Sequence, residues 1–304
     1  MQRNYLFIFA MALGVITCSS CEVPVEIEGD SKIVVQSYFS NTQDLIVYVT
    51  ESNLRTSTSY PIYIENAAVT VFSGETNEFL TGLTLVRNNG QSFYQTVGFQ
   101  PEIETLYLLN VEVPGYQPVT ATNSIPKPSS LEAVFNDSST FNGVGMQHVS
   151  MDVAISIEDP AGHENYYHIL FYQELIDSTI DADGLVSSDI IYLDSDGEIF
   201  IESKTKAIDI KQLQNHPSFL IMDKQFDGQK FIIDFDVQFE FDPEIYTRGN
   251  LLIEMRTVSK EYYEHYLNLI PKPGQNPLSP SVIDDNIING AGVFAGYSFK
   301  SIRL

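Results

Sequence analysis

Apolar and polar residues alternate along most of the chain, and this pattern predicts a protein built from β-strands. The clearest segment runs from Phe231 to Phe241, where six apolar residues fall on one face and four polar residues, from Asp234 to Glu240, fall on the other. A period of two residues is typical of an antiparallel strand with one buried face. Similar segments fill the first half of the chain, where Gly, Pro and Asn residues separate them. They predict seven strands: Lys32–Tyr38, Asp44–Thr50, Ala68–Phe72, Phe79–Leu85, Ser92–Thr96, Leu106–Val113 and Val119–Asn123.

One segment, residues 259–270, has the period of a helix. Ser259 is a suitable N-cap, and Pro271 is expected to end the helix. Apolar and aromatic residues recur at helical spacing and predict a stripe that docks the helix onto a sheet. The stripe consists of Tyr262, Tyr263, Tyr266, Leu267 and Ile270.

The predicted strands define the fold class and the domain boundaries. Seven short strands in the first half suggest an immunoglobulin-like or transthyretin-like sandwich. Two prolines at alternate positions in the segment Ile125–Ser130 break the pattern and predict a boundary. We therefore predict an all-β chain with one short helix and two β-sandwich-like domains, at residues 21–126 and 127–304, after a signal peptide at residues 1–20.

The first residues have the pattern of a bacterial export signal. Arg3 precedes twelve uncharged residues, Tyr5–Ile16, a stretch too short to span a bilayer core that needs roughly twenty. The run Cys18-Ser19-Ser20-Cys21 follows and resembles the lipobox of bacterial lipoproteins. In that class of signal the cysteine is diacylglycerated, signal peptidase II cuts before it, and the new amine is acylated. We predict lipidation of Cys21, with Cys18 as the competing site and an ordinary cleaved signal as the alternative.

Composition and charge narrow the classes of protein and partner. The chain has 304 residues, of which 43% are hydrophobic, which is typical of a folded protein and excludes a polytopic membrane protein. Forty acidic residues against sixteen basic ones give a net charge of -24. Such a surface repels phosphate backbones, so we expect no nucleic-acid partner.

Several short motifs have a chemical alternative to a purely structural role. His163 and His168 resemble a zinc motif with one residue too many, so on a helix or a strand they point in different directions. The glycine-rich segment 290–296 lacks the βα context of a dinucleotide loop and is expected to form strand and turn. We predict no cofactor and no metal site, because the acidic loops of the second half have the pattern of solvated turns. The alternative is calcium binding in these loops, with the candidate ligands Asp181, Asp183, Asp194 and Asp196.

Tyrosines offer a further alternative, because exposed rings can stack on sugars whereas buried rings pack in a core. Core packing is the commoner role. The tyrosines concerned are Tyr60, Tyr63, Tyr166, Tyr167, Tyr172, Tyr262 and Tyr263.

An ordered set of short pieces covers nearly all of the chain after the signal. The pieces are Ser19–Glu22, Lys32–Val35, Ala67–Val71, Val113–Tyr116, Ile125–Pro126, Asp159–Pro160, Asn165–Tyr167, Phe226–Gly228, Ser259–Tyr263 and Asn286–Tyr297. In this set the chain resembles the Bacteroidota lipoproteins grouped as domain of unknown function 4249. The resemblance implies an outer-membrane lipoprotein, often encoded beside TonB-dependent receptors, and it brings no catalytic residues.

These observations favour a non-enzymatic protein anchored to the outer membrane by its lipid. We expect an accessory or binding component that works with a TonB-dependent receptor in uptake or envelope organisation. The alternative is a glycan- or peptide-acting enzyme that uses carboxylates, since retaining glycosidases need two carboxyls about 5 Å apart. A concave pocket with two facing acids would favour the enzyme, and a bare sheet surface would favour the binding component.

Overall fold

Strands run through most of the chain that the structure describes. The computed structural model describes residues 31–52, 61–180, 186–193, 199–206, 208–213, 218–270 and 285–304. Within these residues there are nineteen β-strands and one α-helix, which confirms the predicted all-β fold with one short helix. No helix in these residues combines the length and the apolar character needed to cross a bilayer.

The first half contains nine strands. They are β1 (Ile33–Phe39), β2 (Ile46–Glu51), β3 (Ile62–Tyr63), β4 (Ala68–Ser73), β5 (Phe79–Gly82), β6 (Thr84–Asn88), β7 (Gln91–Gln95), β8 (Leu106–Glu112) and β9 (Val119–Ser124). The seven predicted strands are all present, but the predicted strand Phe79–Leu85 is divided into β5 and β6. These two strands belong to different sheets, a division that alternation alone does not reveal.

The second half contains ten strands, a short 3-10 helix at Asp223–Gln225 and the helix α1 (Lys260–Leu269). The strands are β10 (Ser130–Asn142), β11 (Gln147–Glu158), β12 (Tyr166–Ile180), β13 (Val186–Leu193), β14 (Ile199–Ser203), β15 (Ile210–Gln212), β16 (Ser218–Met222), β17 (Lys230–Phe241), β18 (Tyr246–Val258) and β19 (Ala291–Arg303). The predicted alternation in β17 is confirmed, because Ile233, Phe235 and Val237 are fully buried while the intervening residues are not.

The strands form one long sheet and two small ones. The long sheet has the order β15-β16-β12-β18-β19-β1-β2-β7-β6, with β13 added to β12 and β3 added to β2. The small sheets have the orders β5-β4-β8-β9 and β10-β11-β17-β14. Each small sheet packs on one part of the long sheet, so that each half of the chain has its own two-layer hydrophobic core.

The last strand, β19, connects the two halves. Its first residues pair in parallel with β1, and its later residues pair antiparallel with β18. Phe294 of β19 belongs to the core of the first half. The division into domains at residues 21–126 and 127–304 stays a prediction; residues 31–304 form a single compact unit in which the long sheet runs through both halves.

Helix α1 begins as the sequence predicts. The Ser259 hydroxyl accepts a hydrogen bond from the Tyr262 backbone N–H at 3.3 Å, which satisfies one of the free donors of the first turn. The side chains of Tyr262 and Tyr263 are buried in a third cluster with Val293 and Ala295 of β19. The apolar stripe therefore docks α1 onto the long sheet, and it is not a free surface.

Candidate functional site

A concave and largely apolar surface lies in the second half of the chain. It has a volume of about 550 Å³, and strands of both sheets of that half line it. We call this surface the apolar groove. The lining residues that matter below are Phe141, His148, Ile191, Phe200, Glu240 and Asp242.

Several apolar side chains in and beside the apolar groove face solvent. Phe141 on β10 and Phe200 on β14 are 63% and 57% exposed, and Val144 at the tip of the β10–β11 hairpin is fully exposed. Residues 190–192 of β13 are three consecutive exposed apolar residues on a strand that, among the described strands, pairs with β12 alone. Burying a large apolar side chain lowers the free energy by about 1.5–3 kcal/mol. Covering this surface with another protein surface is therefore favourable.

Three side chains form a row across β10, β11 and β17 at the apolar groove. The strand register places Phe141 opposite His148, and His148 opposite Glu240. The rings of Phe141 and His148 stack with their centroids 4.5 Å apart, and His148 Nδ1 lies 2.9 Å from Glu240 Oε2. These contacts hold an exposed aromatic ring beside a carboxylate, so the groove is apolar with an acidic margin.

A second candidate site is formed by three aspartates in the loops of the second half. Asp159 follows β11, Asp223 begins the 3-10 helix, and Asp227 lies in the turn before β17. One carboxylate oxygen of each lies within 4.8 Å of the others, and we call this group the acidic cluster. Each carboxylate also accepts hydrogen bonds that tie loops together: Asp159 from the Tyr167 hydroxyl and from the Gly228 N–H (2.9 Å), Asp223 from the Asn165 N–H (2.7 Å), and Asp227 from the Gly162 N–H (2.9 Å).

The acidic cluster is mostly buried. Asp159 is 5% exposed and Asp223 is 1% exposed, whereas Asp227 faces a shallow depression of about 310 Å³. Burial raises the pKa of the Asp223 carboxyl, the hydrogen bonds from Asn165 lower it, and the charges of Asp159 and Asp227 raise it further. Carboxylate oxygens at this spacing suit a hard cation such as Ca²⁺, for which three protein ligands leave at least half of the coordination shell to water.

Comparison with known proteins gives the family. A family model described as "Domain of unknown function (DUF4249)" matches residues 21–303. The chain belongs to this family. No curated protein matches it.

Two solved structures that resemble this DUF4249 chain are bacterial pilins. The major pilin subunit of Bacillus cereus is 9% identical, with 75% of this chain and 64% of that chain covered, at a TM-score of 0.20. The T6 backbone pilin of serotype M6 Streptococcus pyogenes is 10% identical, with 90% and 64% covered, at a TM-score of 0.18. This chain thus spans less than two thirds of the length of either pilin, and both scores are too low to establish a shared fold.

The acidic cluster brings together pieces that are distant in the sequence of this DUF4249 chain. Asp159–Pro160, Asn165–Tyr167 and Phe226–Gly228 each contribute to the resemblance noted above, and in the structure they meet at this one point. Sequence reasoning missed the cluster because no spacing links its three aspartates. The available signal was the presence of Asp159 and Asp227 in two of the pieces that carry the resemblance, and Asp223 lies in none of them.

The site residues predicted from sequence have different outcomes. Cys18, Cys21 and the calcium candidates Asp181, Asp183, Asp194 and Asp196 lie outside the described residues. His163 is exposed before β12, whereas His168 is buried on β12 with its Nδ1 2.9 Å from the Tyr262 hydroxyl. Of the seven tyrosines, Tyr60 lies outside the described residues, Tyr63 and Tyr172 are half-buried, and four are buried: Tyr166, Tyr167, Tyr262 and Tyr263.

Replacing Asp223 with asparagine is expected to change how the stability of the protein depends on pH. The folded state raises the pKa of Asp223 above its ordinary value of 3.8, so the folded chain holds this proton more tightly than the unfolded chain. Ionisation of Asp223 therefore costs stability at neutral pH, and the cost disappears as the pH falls through the folded pKa. Between about pH 7 and about pH 4, the wild type should gain stability relative to Asp223→Asn. Thermal unfolding at a series of pH values measures this difference.

The control for this experiment is Asp137→Asn, which alters an exposed aspartate on β10. Its melting temperature should follow the wild type at every pH. Parallel pH profiles for Asp223→Asn and the wild type would show that burial and the neighbouring carboxylates do not raise the pKa of Asp223 in the folded state.

Proposed function

We propose that the protein is a non-enzymatic, lipid-anchored component of the bacterial outer membrane that docks a neighbouring envelope protein through the apolar groove. The observation that carries this proposal is the set of exposed apolar side chains at the groove, above all Phe141 and Phe200. Burial of these side chains under a partner stabilises the complex, and the concave shape of the groove favours a specific contact.

The acidic margin of the apolar groove determines the kind of partner. Glu240 and Asp242 are the carboxylates that line it, and the whole chain carries a net charge of -24. A partner surface with apolar residues flanked by Lys or Arg complements both properties, and electrostatic attraction of this kind speeds association and weakens in salt.

A lipid anchor would allow even a weak contact with the partner protein to be occupied. Lipidation at Cys21 would confine the protein to the plane of the membrane and raise its effective concentration toward other envelope proteins. Contacts with dissociation constants in the range of about 1 μM can then be occupied. The sequence resemblance suggests a TonB-dependent receptor as the neighbour, and a role in uptake or envelope organisation.

The test is affinity purification of the full-length protein from mildly solubilised outer membranes, at low and at high salt. We expect a TonB-dependent receptor to copurify at low salt and to be reduced at high salt. The variant Phe200→Ser should lose the receptor, because it removes an apolar side chain from the apolar groove. The matched control is Phe79→Ser on β5, since both phenylalanines are 57% exposed and Phe79 lies in the other half of the chain.

Two results would contradict the proposal. Recovery of the receptor to the same extent with Phe200→Ser and Phe79→Ser would place the contact elsewhere. Absence of any receptor at either salt, together with turnover of a glycan or peptide by the purified protein, would favour the enzyme.

An enzyme that uses carboxylates is the second candidate, and the acidic cluster is the observation that favours it. The separation of its carboxylate oxygens, within 4.8 Å, is close to that of a retaining glycosidase. However, Asp159 and Asp223 are almost fully buried and accept hydrogen bonds from loop groups, so Asp227 is the one exposed carboxylate among the three aspartates of the acidic cluster. Docking is therefore the better supported function.

A further inference from the structure

A second depression lies on the outer face of the long sheet in the first half, away from the strands that form the apolar groove. Its volume is about 400 Å³, and residues of β1, β2, β3 and β7 line it. Gln36, Gln43, Tyr48, Thr50 and Tyr63 provide much of its lining. We call it the tyrosine–glutamine depression.

The strand register orders these side chains in two rows. Val34 pairs with Thr50, which pairs in turn with Tyr63 on β3. In the next row on the same face, Gln36 pairs with Tyr48, whose ring lies 5.5 Å from that of Phe93 on β7. Aromatic rings thus alternate with amide and hydroxyl groups across neighbouring strands.

The tyrosine–glutamine depression differs in charge from the rest of this acidic protein. No Asp, Glu, Lys, Arg or His is among its lining residues in the described part of the chain. The apolar groove has Glu240 and Asp242, and the depression at the acidic cluster has Asp227 and Lys224. A ligand of this surface is therefore recognised by stacking and by neutral hydrogen bonds.

We propose that the tyrosine–glutamine depression binds a neutral oligosaccharide. A sugar ring has an apolar face of C–H groups, which packs on an aromatic ring, and an edge of hydroxyl groups, which pair with amides and hydroxyls. This surface offers both kinds of group in adjacent rows. Its volume is in the range of small-molecule sites, which are about 300–1,000 Å³.

Other classes of ligand fit this surface less well. Phosphate and uronate groups need positive charge, and the lining residues that the structure describes carry none. An extended peptide needs a free strand edge of several residues. The strands β1 and β2 are each paired on both sides, and β3, which pairs with β2 alone among the described strands, has only two residues. An acyl chain would bury the amide of Gln43 without a hydrogen bond, which is costly.

Three of the polar side chains of the depression are free to bind, whereas Gln36 is hydrogen-bonded to Tyr38 and Ser37 to the Ile46 carbonyl oxygen, and the floor is held in place. No hydrogen bond within the described residues uses the side chain of Gln43, Tyr48 or Tyr63. Tyr38, at one end of the depression, packs on Tyr262 and Tyr266 of α1 with centroids 5.1 and 5.3 Å apart. A surface fixed in this way loses little conformational entropy when a ligand binds.

The test is calorimetric titration of the detergent-solubilised full-length protein with defined oligosaccharides. The probes are neutral hexasaccharides of glucose, mannose, galactose and xylose, with hexagalacturonate as the anionic comparison. We expect saturable binding of at least one neutral hexasaccharide and no binding of hexagalacturonate. Tyr48→Ala and Tyr63→Ala should each weaken the binding roughly ten-fold, because each removes a stacking ring.

Two further variants keep the test decisive. Tyr192→Ala, on β13 and 42% exposed, is the matched control and should bind as the wild type does. Gln43→Ala changes an exposed amide at little risk to the fold and should also weaken binding.

Three results would contradict the proposal. They are no binding of any neutral hexasaccharide at about 1 mM, tighter binding of hexagalacturonate, and unchanged binding by all of Tyr48→Ala, Tyr63→Ala and Gln43→Ala. Because the apolar groove is tested by Phe200→Ser, failure at one site leaves the result at the other unaffected.

Discussion

Replacing Gly292 with alanine is expected to lower the free energy of unfolding by about 3–5 kcal/mol. Gly292 has φ +114°, a conformation that side chains rarely adopt, and a Cβ atom there would lie 2.0 Å from the Val35 carbonyl oxygen. That oxygen belongs to β1, so relief of the clash requires β19 to move away from β1. The melting temperature should fall by about 10 °C. Denaturant unfolding followed by circular dichroism measures the change.

Three other glycines separate the causes of this effect. Gly90→Ala keeps the positive φ but meets no atom within 4 Å, so it should cost only about 1–2 kcal/mol. Gly296→Ala has no positive φ, but its Cβ would lie 2.3 Å from the Ser124 carbonyl oxygen, so it should be severe. Gly82→Ala, whose nearest atom is 4.0 Å away, should have little effect. Equal losses in Gly292→Ala and Gly90→Ala would mean that the clash with the Val35 carbonyl oxygen adds nothing to the cost of the positive φ.

The sequence predicts the elements of this fold well because each element follows from local periodicity. The alternation in β17 and the N-cap at Ser259 depend on residues within one segment, and both are confirmed. The bounds differ by one to three residues at strand ends, where hydrogen bonding to the neighbouring strand decides the limit. The two-residue strand β3 was missed because two residues carry no period.

The pairing of the strands is less accessible to sequence reasoning, because it depends on contacts between distant residues. The glycine-rich segment 290–296 is predicted to form strand and turn, and the structure confirms this, with a turn at residues 289–290 and β19 from Ala291. No pattern indicates that β19 pairs with β1 on one side and β18 on the other. The prolines at 126 and 128 favour a two-domain interpretation of the sequence. The pairing of β19 with strands of both halves can be seen only in the structure.

The candidate sites were hidden for the same reason. The acidic cluster joins Asp159 to residues more than sixty positions away, and the apolar groove depends on which phenylalanines the packing leaves exposed. In β17 the aromatic residues face the core, while Phe141 on β10 and Phe200 on β14 of the same sheet face solvent. A phenylalanine in an alternating segment gives the same sequence signal in both cases.

Cys21→Ala is expected to abolish lipidation and to leave the signal peptide attached. If Cys21 follows a lipobox, signal peptidase II requires its diacylglyceryl group before it can cut. Metabolic labelling with palmitate should therefore give a labelled wild-type protein and an unlabelled, larger variant. The matched control is Cys18→Ala, which should be labelled and cleaved like the wild type, because cleavage before Cys21 would remove Cys18 with the signal peptide. Label in Cys21→Ala together with its loss in Cys18→Ala would assign the anchor to Cys18.

The same variant connects the anchor to the proposed docking. Stable anchoring to a membrane needs two or more acyl chains, and one chain holds a protein only marginally. Because Cys21→Ala is expected to carry no acyl chain, it should be absent from the outer-membrane fraction. The apolar groove is unchanged in Cys21→Ala, but its effective concentration toward the receptor is lost. We therefore expect Cys21→Ala to lose copurification of the receptor even at low salt, although its groove is intact. Phe200→Ser should instead keep the palmitate label and the membrane fraction while it loses the receptor. Full copurification with Cys21→Ala would mean that the contact is tight enough to form without the anchor, and the role proposed here for confinement to the membrane would be wrong.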